Sequence, residues 1–126
     1  MKSYTDLEQS KVLSKILPLE SADMYIYKNV FFGALSCFNG TTQIGEYIKL
    51  TDKESKAYPC WSLTALLKYL SEIKPKVYTP VLFPSEGKWI LQFAEYGHGN
   101  VCETTSENTI DACYEIILKL HELNLL

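Results

Sequence analysis

The stretch TIDACYEIILKLHELNLL, Thr109 to Leu126, decides how the rest of the chain is read. Ile110, Cys113, Ile117 and Leu120 recur at intervals of three and four, and Tyr114, Ile116 and Leu123 widen the stripe. That is the period of an amphipathic helix. Asn108 stands where an N-cap is needed, Asp111 falls in the first turn beside the exposed amide ends, and Glu115 precedes Lys119 by one favourable spacing. Such a helix is marginal by itself in water, because ordering its backbone offsets what its apolar stripe gains. The remainder of the chain must therefore supply an apolar surface.

Immediately upstream the period changes from helical to alternating. Val77 to Phe83 and Lys88 to Glu95 read as strands joined by Pro84, Ser85, Glu86 and Gly87, which suit a type I turn. Trp89, Leu91 and Phe93 alternate against Ile90 and Gln92. Pro80 cannot donate to a ladder, so its run is an edge strand or is broken there. Gly97 to Asn100 is a further turn, and Val101 to Thr104 a short strand feeding the last helix.

Further back, Leu63, Leu66, Leu67, Leu70 and Ile73 mark a second helix. Ser62 is its expected N-cap, Trp61 and Leu66 take the positions of a hydrophobic staple, and Pro75 closes it. Met24 to Phe38 is rich in Tyr, Phe, Ile and Val, with Gly33 as a bend or bulge. Asn39 and Gly40 tolerate the positive φ of a type I′ turn and predict a hairpin. Its return strand is Thr42 to Leu50, with Ile44, Glu46, Ile48 and Leu50 on one face and Tyr47 and Lys49 on the other; Thr51 to Tyr58 reads as a solvated loop. Thr5 and Glu8 have capping-box spacing before Leu13, Ile16 and Leu17, and Pro18 ends this first helix or follows its end closely. The expected fold is a single α+β domain over residues 1–126, a mainly antiparallel sheet of five or six strands with two or three helices packed mostly on one face.

Composition narrows the function classes. With 47% hydrophobic and 21% charged residues in 126, the chain can bury a core of its own. No apolar run approaches the roughly 20 residues of a membrane span, and MKSYTDLEQS lacks the apolar block of a signal peptide, so a cytoplasmic protein is expected. All 12 basic residues are lysine, at a net charge of -3. Without arginine no bidentate clamp on phosphate or guanine is available, which disfavours nucleic-acid recognition.

Three stretches, ESADMYIYK (Glu20 to Lys28), YPCWSLTALLKYL (Tyr58 to Leu70) and DACYEIILKLHELNLL (Asp111 to Leu126), resemble a set of small uncharacterised proteins of gut anaerobic bacteria and their prophages. The resemblance implies a phage or mobile-element setting and carries no residue roles with it.

Two groupings offer chemistry. Cys60 precedes a helix N-terminus, where amides lower a thiol pKa, so a cysteine-dependent enzyme with His98 or His121 as base is one reading. His98 and Cys102, four apart and flanked by Glu95 and Glu103, offer two metal ligands, short of a site. Cys37, Cys60, Cys102 and Cys113 lack paired spacing and read more simply as small buried apolar side chains. No phosphate-cradling glycine loop, paired-histidine helix or serine elbow is present, and no cofactor is expected.

The 16 aromatic residues point elsewhere. On a sheet covered on one face, alternation sends about half of its aromatic side chains outward, where they offer large contact area with few rotamers to freeze. Tyr25, Tyr27, Tyr47 and Trp89 are the candidate binding residues. The leading expectation is a small non-enzymatic accessory module that binds another protein, or itself through edge strands and the apolar end at Leu123, Leu125 and Leu126. The alternatives are the cysteine-dependent or metal-assisted enzyme and, less favoured, a single-stranded nucleic-acid binder whose aromatics stack bases.

Overall fold

The computed structural model describes residues 2–27, 29–33, 57–73, 78–95 and 99–126. The expected hairpin at Asn39 and Gly40, the strand Thr42 to Leu50 with Tyr47, most of the Thr51 to Tyr58 loop, Pro75 and His98 lie outside the described residues. The chain divides into two compact units, Tyr4–Ala65 and Met1–Ser3 with Leu66–Leu126. Among the described residues it is α+β, with three α-helices and two three-stranded antiparallel sheets. The single five- or six-stranded sheet expected from the sequence is thus replaced by two smaller ones.

In the first unit, α1 (Leu7–Leu13) begins with a capping box. Asp6 Oδ1 accepts from the Gln9 amide at 2.8 Å and Gln9 Oε1 from the Asp6 amide at 3.2 Å. The box expected at Thr5 and Glu8 is shifted by one residue because the Thr5 hydroxyl is engaged elsewhere. It lies 2.8 Å from Ser10 Oγ and accepts from the Trp61 amide at 3.1 Å. The helix stops at Leu13, short of Ile16 and Leu17, and a 3-10 turn, Leu19–Ser21, follows Pro18.

Strands β1 (Met24–Tyr27) and β2 (Val30–Gly33) pair antiparallel, with Tyr27 opposite Val30. Asn29, at φ 64°, sits in the reversal between them. The sequence reading ran through this point as one apolar stretch bending at Gly33. Asparagine tolerates the left-handed region, which suits a reversal where hydrophobicity gives no sign of it. Strand β3 (Tyr58–Cys60) joins the other side of β1, giving the order β2-β1-β3. Tyr58 was expected in a loop, and Pro59 hides the strand from a propensity reading. The outer side of β3 meets the N-terminal residues: Tyr4 bridges Ser62, and the Thr5 amide donates to the Trp61 carbonyl at 2.9 Å.

Helix α2 (Leu63–Ser71) crosses the division between the units. Ser62 caps it as expected, its Oγ accepting from the Ala65 amide at 3.2 Å. Asp23 in turn accepts from both the amide and the hydroxyl of Ser62, tying the cap to the start of β1. Leu66 and Leu70 are fully buried, and so is Trp61, whose indole N–H donates to Ser21 Oγ at 2.9 Å.

The second unit carries β4 (Tyr78–Ser85), β5 (Lys88–Glu95) and β6 (Gly99–Ser106) in sequential antiparallel order. β4 runs unbroken through Pro80 and Pro84 and lies at the sheet edge, the first of the two outcomes the prolines allow. The connection is a two-residue turn rather than a type I turn, with Glu86 at φ 51° and Gly87 at φ 79°. Two successive positive φ values are those of a type I′ turn, whose twist matches the flanking strands. A register shift between Phe93 and Ala94 marks a bulge against β6.

Helix α3 (Thr109–Glu122) lies against β5 and β6. Asn108 Oδ1 accepts from the Asp111 amide at 2.9 Å, the expected cap. Ile110, Cys113, Ile116, Ile117 and Leu120 are fully buried, as are Leu91 and Phe93 on β5. Thr104 is buried as well and donates from Oγ1 to the Ala112 carbonyl at 2.8 Å. Leu123 leaves the stripe: it is the C-cap, 55% exposed, and Asn124 at φ 58° turns the chain away.

Candidate functional site

The aromatic side chains were the sequence's main candidates, and strand pairing sorts them by face. Directly opposed residues of an antiparallel pair share a face. On one face of the first sheet lie Tyr25, Phe32 and Pro59 in one row, with Tyr27 and Val30 beside them. Tyr25 is only 3% exposed; its ring stacks on Phe32 at 4.9 Å, and it forms a cluster with Ala57 against which Leu19, Tyr27 and Phe32 pack. The outward position expected for Tyr25 is therefore corrected to a core one. β1 is the central strand, and both of its faces bury side chains.

Tyr27, one row further, is half-buried. Trp89 is half-buried too, but on the face of Leu91 and Phe93, in a row with Pro84 and Ser106 at the turn end of the second sheet. It rims the core face instead of standing on the outward one. Tyr25 and Tyr27 belong to one unit and Trp89 to the other, while Tyr47 lies outside the described residues.

The opposite face of the first sheet presents Ile26, Phe31 and Tyr58 in one row. Ile26 is buried and its two neighbours are half-exposed. The ring of Tyr4, 36% exposed, sits 4.7 Å from that of Phe31, and Lys11 Nζ lies 5.4 Å from the Tyr58 ring centre. Sequence reasoning passed over Tyr4 and Tyr58. No local pattern sets Tyr4 beside Phe31, and only strand pairing puts Tyr58 on the same face, across Ile26.

The thiols are built differently. Cys60 is fully buried, and its S–H donates to the Thr5 carbonyl at 3.2 Å with Thr5 Oγ1 at 3.5 Å. Burial pushes its pKa up, more than the bonds to Thr5 and Ser10 lower it. The thiol is neutral at pH 7, opposite to what a nucleophile needs. Burial also raises Cys102, against a lowering by nearby Lys119, and pushes Cys113 up to about 12.

Among the described residues no three His, Cys, Asp or Glu side chains gather as a metal site, and no helix is long and apolar enough to cross a membrane. The His98 half of the expected metal pair lies outside the described residues. No protein-family model matches the chain, and no curated protein or solved structure is similar to it.

Proposed function

We propose that this chain is a small non-enzymatic accessory module that acts by binding another protein, through the aromatic face of its first sheet. The observation that carries the reading is the surface pairing of Tyr4 with Phe31, with Tyr58 under Lys11 on the same face of the sheet. Paired rings that keep part of their area in solvent supply rigid apolar contact at small entropic cost, which is what protein interfaces select. Tyr27 on the other face of this sheet and Trp89 at the turn end of the second sheet are each half-buried. The raised thiol pKa values give no support to a cysteine-dependent enzyme. A phage or mobile-element setting, and a cytoplasmic one, are part of the proposal and rest on the resemblance and composition alone.

The test is capture from the lysate of a gut anaerobe that encodes the chain, with the wild type and a Tyr4→Ala, Phe31→Ala variant as baits. Reproducible retention of one protein by the wild type, lost in a variant with unchanged circular dichroism, supports the reading. Equal retention by both baits, or none by either, removes it.

A further inference from the structure

We propose that β6 carries a strand-pairing edge that Lys119 holds shut, and that its occupant once Lys119 is removed is β6 of a second copy of this chain. The argument starts from the prolines. Pro80 and Pro84 have no N–H, so the rows Pro80↔Phe93 and Pro84↔Trp89 are non-hydrogen-bonded rows of the β4–β5 ladder. The row Ser85↔Lys88, which closes the two-residue turn, then falls as a hydrogen-bonded one, as such a turn requires. Alternation turns the backbone groups of Ile90 and Gln92 toward β4, and those of Trp89, Leu91 and Phe93 toward β6.

On β6 the consequence is definite. Gln92↔Glu103 and Ile90↔Thr105 are non-hydrogen-bonded rows, so the N–H and C=O groups of Glu103 and Thr105 point away from the sheet at its outer edge. An independent contact agrees: Lys119 Nζ, reaching down from α3, donates to the Glu103 carbonyl oxygen at 3.0 Å. The two edges of this sheet are therefore closed by different devices. Of the β4 groups that face outward, Pro80 and Pro84 lack donors permanently, and Leu82 between them keeps its N–H. β6 contains no proline, and among the described residues its outward groups are met by one exposed side chain, Lys119 at the Glu103 carbonyl, lysine being a common defence of strand edges.

Two β6 strands related by a two-fold axis present the same alternating donors and acceptors to each other, so the pairing is self-complementary. This inference uses the second sheet and does not rest on the aromatic-surface reading. The experiment compares the wild type with Lys119→Met, which keeps the apolar stem and removes charge and donor, and with Lys119→Ala. Light scattering should give the wild type the mass of one chain, 14.4 kDa, and the folded variants a mass rising toward twice that with concentration. In hydrogen exchange, the amides of Glu103 and Thr105 should be unprotected in the wild type and gain protection as the variants pair. Folded variants that keep the single-chain mass overturn the proposal. So does a doubled mass without protection at those two amides, or a wild type that is already doubled.

Discussion

Among the described residues the two sheets have three strands each, and they are stabilised in different ways. The β4–β5–β6 sheet is built from sequential hairpins and buries aliphatic and aromatic side chains, Leu91 and Phe93, on the face where α3 lies with its stripe of Ile110, Ile116, Ile117 and Leu120. The β2–β1–β3 sheet is short, with strands of four, four and three residues. Its β3 side is fastened by polar bonds from Thr5, and Asp23 and Ser21 fasten the chain just beyond it. Area burial is non-directional and survives small changes of geometry, whereas buried hydrogen bonds are lost whole when one partner goes. The first unit should accordingly be sensitive to deletion of single polar atoms, and the second to deletion of volume.

The sharpest test of that contrast is Phe93→Ala. Phe93 is fully buried, and its truncation should cost about 3–5 kcal/mol in urea unfolding. A loss under about 1 kcal/mol would mean the second sheet does not depend on packed volume.

High pH probes the same core without mutation. Cys113 has its pKa raised from 9.0 to about 12, so the folded state keeps the proton that the unfolded chain releases. The stability from keeping this thiol neutral is complete below about pH 9 and is lost as the pH climbs toward about 12. Across the whole window the loss approaches about 4 kcal/mol. In Cys113→Ala the decline of the urea midpoint over this range should be shallower than in the wild type, and parallel curves would contradict the assignment.

In the first unit the corresponding change is Thr5→Val, which preserves shape but removes the hydroxyl bonded to Ser10 and to the Trp61 amide. It should cost about 1–3 kcal/mol, since buried partners are left unsatisfied. An unaltered urea midpoint would erase the distinction between the two units. Smallest of the set, Asn108→Ala should remove about 1 kcal/mol by uncapping α3, because the Asp111 amide loses its acceptor. A helix whose circular dichroism and melting point did not respond would show that its buried stripe alone sets its start.

Legibility in the sequence followed the range of the interaction. The stripe of α3, its Asn108 cap and the Ser62 cap of α2 were all readable, because each depends on residues within one or two turns, whereas Pro80 left an edge strand and a broken one both open. The reversal at Asn29 was not, since one residue with φ 64° leaves no trace in the hydrophobic pattern. β3 was hidden by Pro59 and by its length of three residues. The capping box moved from Thr5 to Asp6 because the Thr5 hydroxyl is taken by Ser10 and Trp61, the latter 56 positions away in sequence.

The candidate site shows the same division more strongly. Aromatic richness was plain in the composition, but which rings face solvent depends on pairing partners. Tyr25 became a core residue because Ala57, Leu19 and Phe32 pack against it on its face of β1. Tyr4 came to lie beside Phe31, a neighbour that no local pattern announces.

What the sequence determined by itself is therefore the set of elements whose physics is local: amphipathic helices with their caps, and alternating strands. Only the tertiary structure decided that the strands divide into two sheets, that the Cys60 thiol is buried and neutral, and that Lys119 reaches the Glu103 carbonyl. Each of these depends on which distant residues meet across an element, and a period of two or 3.6 residues contains no record of the partner.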